Sequence, residues 1–371
     1  SGYFEPLQQA GGTLNGSTDS DRTNYWEVVP AGALELALWM ESDRMGFLLP
    51  ALTEEKFANQ RDVVLNERRQ SYENRPYGMA GLAMVDALFP DWHPYHWATI
   101  GSPGDLRAAT AEDVRAFFRR YYHPANASIA VAGDTDADHA LELVAAYFGG
   151  IPAGEPPSPV PRAPAHAIPS RRVIEDRVEL PRLYLGWLSP PMYAPGDAEL
   201  DLLADVLATG KASRLYRSLV YDRRIATDVA ACQGSRELGS AFQIAATAVP
   251  GVGLGVLESA IHEEIGRVRT AGLSDDELAR AVALTETAFV SRLQTVGGFG
   301  GKSDQLNNYN VFLGDPGGFS RDVERYRKAG AGRIRAAAAA WLDQSACVTL
   351  SAVPAGQRGL AASDSEPVVI L

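Results

Sequence analysis

Hydrophobic and polar positions follow two periods along the chain. In "TLNGSTDSDRTNYWEVVP" (Thr13–Pro30) the alternation predicts two short strands around a polar turn, "STDSDR". In "GALELALWMESDRM" (Gly32–Met45), Leu34, Leu38 and Met45 recur at helical spacing. Thr53 followed by two acids predicts the N-cap of a second helix, which runs through "NQRDVVLNERRQSYENRPYG" (Asn59–Gly78). A third helix is expected over "TAEDVRAFFRRYY" (Thr110–Tyr122), where Thr110 and Asp113 have the spacing of a capping box. "NASIAVAGD" (Asn126–Asp134) reads as a strand, and "ADHALELVAAYFGG" (Ala137–Gly150) as a helix stopped by glycine. "GGFGGKSDQLNNYN" (Gly297–Asn310) reads as a flexible connection between helices.

One residue breaks the pattern. Val63 and Val64 stand four and three residues before Glu67, so all three are expected to share a helical face, and Glu67 is expected to turn inward. An inward carboxylate needs a partner.

The chain then repeats its plan. "LTEEKFANQRDVVLNE" begins at Leu52 and "LSDDELARAVALTETA" at Leu273, an offset of 221 that matches Thr53 with Ser274. "DVRAFFRRYYHPANASIAVAG" from Asp113 resembles "RIRAAAAAWLDQSACVTLSAV" from Arg333, an offset of 220. Two landmarks at nearly one spacing argue for duplication. Glu67 matches Ala288, so the fold does not itself require an acid there. About 100 residues separate Val173, near the start of the second copy, from Leu273, but only 51 precede Leu52. The repeat thus implies that roughly fifty residues are missing from the front of the first copy.

"IPAGEPPSPVPRAPAHAIPS" (Ile151–Ser170) holds seven prolines in twenty residues and can be neither helix nor central strand. The expected organisation is therefore residues 1–150 as an incomplete N-terminal domain, 151–172 as a proline-rich linker, and 173–371 as a homologous second domain with a tail. The tail "GLAASDSEPVVIL" resembles a linker.

Composition narrows the function. A formal net charge of −12 over 371 residues disfavours nucleic acid and anionic membrane surfaces. No apolar run reaches the ~18 residues of a membrane span. Cys232 and Cys347 allow one disulfide but no framework.

Four motifs in order, "AGGTLNGSTDSDRTNYWEVVP", "RDVVLNERRQSYENRPYG", "HPYHWATIGSPGDL" and "DVRAFFRRYYHPANASIAVAGD", resemble the pitrilysin/insulinase-type zinc metallopeptidases, the inverzincins, in their bacterial short form. The resemblance covers nearly the whole chain and extends to "LPRLYLGWLSPP". It implies an α+β fold of two duplicated α/β sandwich domains, mostly antiparallel sheet packed with helices. It also implies a zinc site built from a His-x-x-Glu-His helix and a later Glu, which here is Glu67. Two imidazoles and a carboxylate leave zinc positive, with a position open for water. The resemblance makes Glu67 a metal ligand only, and the general-base Glu lies between the two histidines.

No His-x-x-Glu-His occurs among these residues. His93 and His96 have ligand-like spacing but flank Pro94, in a segment the resemblance treats as an ordinary loop. The family's motif lies before "GYFEP", in the region the repeat finds missing, so two histidine ligands and the general base are expected outside this sequence. Glu67 alone should hold no zinc. In the family the strand equivalent to Gly12, Thr13, Leu14, Asn15 and Gly16 binds the extended substrate by β-addition, with small residues admitting its backbone. An Arg/Tyr pair seven residues apart clamps the substrate in many relatives. The matching positions are Val220 and Thr227, while Tyr221, Arg223 and Arg224 lie nearby but out of register. A dimer or a second peptidase-like half is thus expected to supply the clamp.

The function implied is zinc-dependent endoproteolysis of peptides or extended segments in an enclosed chamber. The alternative is a catalytically inactive peptide-binding or scaffolding subunit, and the segment alone is expected to be inactive. Relatives of this type are often exported by bacteria, which favours the periplasm over the cytoplasm.

Overall fold

The computed structural model describes residues 3–368. In chain order the elements are α1 (Phe4–Gln9), β1 (Thr13–Thr18), β2 (Thr23–Val28), α2 (Leu34–Ala51), α3 (Glu54–Arg68), α4 (Gly78–Leu88), α5 (Pro103–Ala108), α6 (Ala111–Tyr121) and α7 (Ala137–Phe148). After the proline-rich segment come β3 (Ser170–Asp176), β4 (Arg182–Ser189), α8 (Asp197–Ala208), β5 (Ala226–Gly234), β6 (Ser240–Ala248), α9 (Leu254–Ala271) and α10 (Asp275–Arg292). The chain closes with α11 (Lys302–Leu313), α12 (Phe319–Arg327), α13 (Ala331–Trp341), β7 (Val348–Pro354) and β8 (Glu366–Pro367). The fold is mixed α+β, with sheets mostly antiparallel.

Local chemistry sets the helix starts. Thr53 Oγ1 accepts the Lys56 amide at 3.2 Å, and the Thr110–Asp113 capping box closes at the head of α6. A second box forms where the repeat puts it. Glu277 Oε2 accepts the Ser274 amide at 2.9 Å, and Ser274 Oγ accepts the Glu277 amide at 3.3 Å. Arg214 donates to both Glu277 oxygens, at 2.6 and 2.7 Å. Arg214 first, and the Ser274 amide with it, holds the Glu277 carboxyl down at about 2 against the cost of burial. Its stabilisation is present above the ordinary Glu pKa and is lost as pH falls toward 2. Glu277→Ala should cost about 2 kcal/mol at neutral pH, from the lost cap and a half-buried Arg left without its carboxylate. Denaturant midpoints at pH 7 and pH 3 check both the size and its loss in acid.

The chain forms two compact units, and neither is continuous in sequence. One contains residues 1–65, 103–159 and 287–321; the other contains 66–102, 160–286 and 322–371. A boundary does fall inside the proline-rich segment, but other crossings divide α3 after Leu65 and α10 after Glu286. Their separation, 286 − 65 = 221, is the offset of the sequence repeat. Each copy therefore gives the segment after its capped helix to the other unit, which a plain division near residue 150 does not foresee. The reason lies in α4. Its Ala80, Ala83, Met84 and Leu88 form an apolar face that packs on β4 and β7.

The second unit is built on a six-stranded sheet in the order β5-β6-β4-β7-β3-β8, with only the β3–β7 and β3–β8 pairs parallel. β4 reads "RLYLGWLS". Leu183, Leu185 and Trp187 join the large core with residues of α8, α9 and α13, while Leu188 joins the α4 side. Gly186 allows α4 to approach, since a Cβ there would stand 2.4 Å from Met84 Cε. The tail is not a free linker: Glu366–Pro367 pairs with β3, and its last three residues lie outside the described region. Cys232 and Cys347 are both free thiols.

The first unit holds the hairpin β1–β2, a small core around Leu7, Ala37 and Met40, and helices. Two expectations are corrected here. Residues 127–132 are not in a strand, although 348–352, the counterparts of 128–132, lie in β7. A strand needs partners beside it, and among the described residues none pairs with this segment. Gly297–Asn310 is not a flexible connection throughout: from Lys302 it is helix, because Leu306, Tyr309 and Leu313 recur at helical spacing and Tyr309 is buried.

Candidate functional site

Each candidate residue is placed by its own element. Thr13–Thr18 forms β1 and pairs antiparallel with β2, from Thr13 opposite Val28 to Thr18 opposite Thr23. Among the described residues no strand lies on the other side of β1, and only Leu14 of the strand is even half-buried. The Gly16 N–H donates to Asn15 Oδ1 at 2.8 Å. A side chain thus occupies a backbone donor that a further strand would use. The glycines serve the hairpin itself. A Cβ at Gly12 would meet Val29 at 2.9 Å, and one at Gly16 would meet the Tyr25 ring at 3.2 Å. The open edge of β1, rather than the missing side chains, is what could admit a foreign backbone.

Beside the hairpin lies a half-buried polar cluster. Tyr3 Oη donates to Glu41 Oε1 at 2.5 Å, Arg44 ion-pairs with Glu41, and the Arg44 guanidinium lies 3.6 Å over the Tyr25 ring. Tyr25 and Tyr122 share a hydrogen bond of 3.2 Å. Burial first, then the Glu41 carboxylate beside it, pushes Glu27 up to about 8. Burial opposes ionisation of Glu41 too, but Arg44 outweighs it and holds that carboxyl below its usual range. Glu27 is on β2, so its proton bears on the hairpin. The folded pKa is above the unfolded one, so the contribution is full below the ordinary Glu value and is lost as pH rises through about 8. Unfolding midpoints should therefore fall between roughly pH 5 and 8, and Glu27→Gln should flatten that slope. An unchanged slope in the variant would remove Glu27 as its source.

Glu67 lies at the end of α3, and the helix has a different phase from the one its valines suggest. Glu67 is exposed and Val63 is 47% exposed, whereas Arg68 is 2% exposed. The inward stripe runs through Arg61, Val64, Leu65 and Arg68, at i, i+3, i+4 and i+7. The repeat agrees: Arg68 matches Phe289, which is buried, and Glu67 matches Ala288, which is exposed. Arg68 donates to Glu73 Oε1 at 3.1 Å and to the Gly101 carbonyl at 2.7 Å. It thereby fixes the π-helical turn Arg69–Glu73 that follows Glu67. Sequence reasoning missed Arg68, because an arginine carries no apolar signal.

Three of the six histidines have structural roles. His93 is buried, accepts the Tyr95 amide at Nδ1 (3.1 Å) and stacks on Phe89. His96 pairs Nδ1 with the Phe89 carbonyl at 2.8 Å and places Nε2 3.4 Å from Asp86. His123 lies between the carbonyls of Ala153 and Arg120, at 2.9 and 3.0 Å. No group of three or more His, Cys, Asp or Glu that could hold a metal occurs among the described residues. These residues do not by themselves make a zinc site.

The clamp positions are equally unsuited. Val220 packs against the large core, and Thr227 Oγ1 donates to Asp228 at 3.0 Å. Of their neighbours, Arg223 is paired with Glu263 at 2.6 Å, Arg224 has a left-handed backbone (φ 53°), and Tyr221 is 73% exposed. Among the described residues no helix is long and apolar enough to cross a membrane.

Comparison with known proteins finds likenesses among zinc proteases. A model described as "Peptidase M16 inactive domain" matches residues 108–285. Zinc protease PqqE of Helicobacter pylori is 28% identical over 299 residues, covering 79% of this chain and 67% of that protein. An uncharacterized zinc protease of Mycobacterium leprae is 27% identical, covering 74% of this chain and 61% of that protein. The chain thus spans about two thirds or less of the length of these relatives. The crystal structure of a protease from Helicobacter pylori superposes with a TM-score of 0.86 at 25% identity, covering 95% of this chain and 84% of that one. The M16 inactive domain from Pseudomonas fluorescens gives 0.83 at 18% identity, over 99% of this chain and 85% of that one. The matched family model, these relatives and the shared fold support a pitrilysin-like member of the M16 peptidase family, and these 371 residues lack a His-x-x-Glu-His zinc motif.

Proposed function

We propose that the protein is a zinc-dependent endopeptidase that acts on extended peptide segments in an enclosed chamber. In this reading the 371 residues provide the substrate-binding edge, the scaffold and one metal ligand, Glu67. The general base and two histidine ligands come from outside them. The observation that carries the reading is the open edge of β1, a backbone ladder available to a peptide strand. Exposure of Glu67 beside a π-turn leaves its carboxylate open to a metal held with ligands from outside these residues. The aliphatic and hydroxyl residues at Val220 and Thr227 favour a dimer or a second peptidase-like half as the source of an Arg/Tyr clamp.

A second reading, a catalytically inactive peptide-binding subunit, is favoured by one observation: no metal-ligand cluster forms among the described residues. The two separate on one assay. The full-length natural polypeptide should cleave an unstructured protein, lose that activity to a chelator and regain it with zinc. Peptide binding without zinc-dependent cleavage would establish the second reading instead.

A further inference from the structure

The six-stranded sheet of the second unit ends differently at its two edges. One edge is β8, which has only two residues. The other is β5, nine residues long and without lysine or proline, and among the described residues no strand lies beyond it. Short strands, lysine, proline and bulges are the usual guards of an edge. In β5 the only charge, Asp228, and the only bulge, at Ala226–Asp228, lie together at its start and leave 229–234 open.

The ladder shows which backbone groups face out. The Val249 N–H donates to the Ile225 carbonyl at 3.1 Å, and the Ala248 N–H to the Pro181 carbonyl at 2.9 Å. Odd-numbered residues of β6 therefore bond to β5, and even-numbered ones to β4. Through the register, Asp228, Ala230, Cys232 and Gly234 bond to β6, while Val229, Ala231 and Gln233 turn their N–H and C=O outward. Side chains alternate too. Val229 and Ala231 pack against the large core, whereas Ala230, Cys232 and Gly234 are exposed. Such small exposed residues form no pocket that could read the side chains of an unlike peptide.

We infer that β5 pairs antiparallel with β5 of a second copy of this chain, across a two-fold axis at Ala231, so that the two sheets continue as one. The regular ladder runs over 228–234, and only an axis at its centre, Ala231, overlaps all of it with itself. In that register the outward groups of Ala231 bond to Ala231 of the other copy, and those of Val229 to Gln233. Ala230 lies opposite Cys232 and Asp228 opposite Gly234, so neither two carboxylates nor two large side chains meet. The flanks are complementary in charge. Antiparallel pairing brings the start of one β5 to the end of the other. Arg224, exposed and without an ion-pair partner among the described residues, precedes the strand, and exposed Glu237 follows it. The pairing uses residues of the second unit alone and is independent of the zinc reading.

Sedimentation velocity and cross-linking of the full-length natural polypeptide test it. The protein should sediment as a dimer at micromolar concentration. Ala231→Pro should weaken the dimer at least about thirtyfold, because it removes both central bonds, and should keep the fold, because the Ala231 N–H does not serve β6. Ala230→Cys should give a disulfide between copies on mild oxidation, from the new thiol to Cys232, since a directly opposed pair that is not hydrogen-bonded has Cα atoms about 4.5 Å apart. The unaltered chain should give none through Cys232, because the two Cys232 residues would be diagonal neighbours about 7–8 Å apart. A monomer at every concentration would overturn the inference. So would a dimer that is not weakened by Ala231→Pro, or one that yields no cross-link in Ala230→Cys, since either would be held by another surface.

Discussion

An extended peptide of about eight residues should lose most of its affinity for the full-length protein when every second amide is N-methylated, and keep it when the intervening amides are methylated instead. A strand added to β1 exchanges main-chain hydrogen bonds through alternate residues only, because the others face away from the ladder. Three such bonds at about 1 kcal/mol each amount to a hundredfold or more in Kd. The edge is ready for this: β1 has β2 on one side and, among the described residues, no strand on the other. The Gly16 N–H, already held by Asn15 Oδ1, would change partner at little net cost. Titration of the two peptide series by fluorescence anisotropy reads the difference directly. Equal loss in both series would mean that side chains, not a β-ladder, hold the peptide.

Glu67→Gln in the full-length protein should weaken zinc retention by at least about a hundredfold and reduce proteolysis by about a thousandfold. The amide keeps the shape and removes the charge that a dication requires. The change should leave the fold intact, because Glu67 is exposed and Arg68 is the residue that α3 buries. Unaltered melting with lost zinc separates a ligand from a structural acid. Arg68→Ala should do the reverse: it removes the contacts to Glu73 and Gly101 and destabilises the chain before any effect on metal. Wild-type zinc content in Glu67→Gln would exclude this carboxylate from the site.

The parts legible in the sequence were those set by local chemistry. The Thr53, Thr110 and Ser274 caps, the hairpin around "STDSDR" and the glycine stop after Phe148 each need only a few neighbouring residues, and each is present in the fold. The duplication was legible because matched helices keep one offset, and the unit boundaries in α3 and α10 keep it as well. What escaped depended on partners distant in sequence. Residues 127–132 have strand composition, but composition cannot show whether a neighbouring strand is there to pair. The phase of α3 was misread because it has few apolar residues, and two adjacent valines cannot say which of them faces in. The exchange of segments between units follows from the match of α4 to the β4–β7 surface, which no local pattern encodes.

The most direct test of the central claim is zinc stoichiometry, measured by elemental analysis on the full-length natural polypeptide and on the 371-residue chain purified in parallel. The account predicts one zinc per full-length chain and none retained by the 371 residues, whose candidate ligand is Glu67 alone. A full-length protein without zinc, or a 371-residue chain that holds zinc as tightly as the whole, would contradict it.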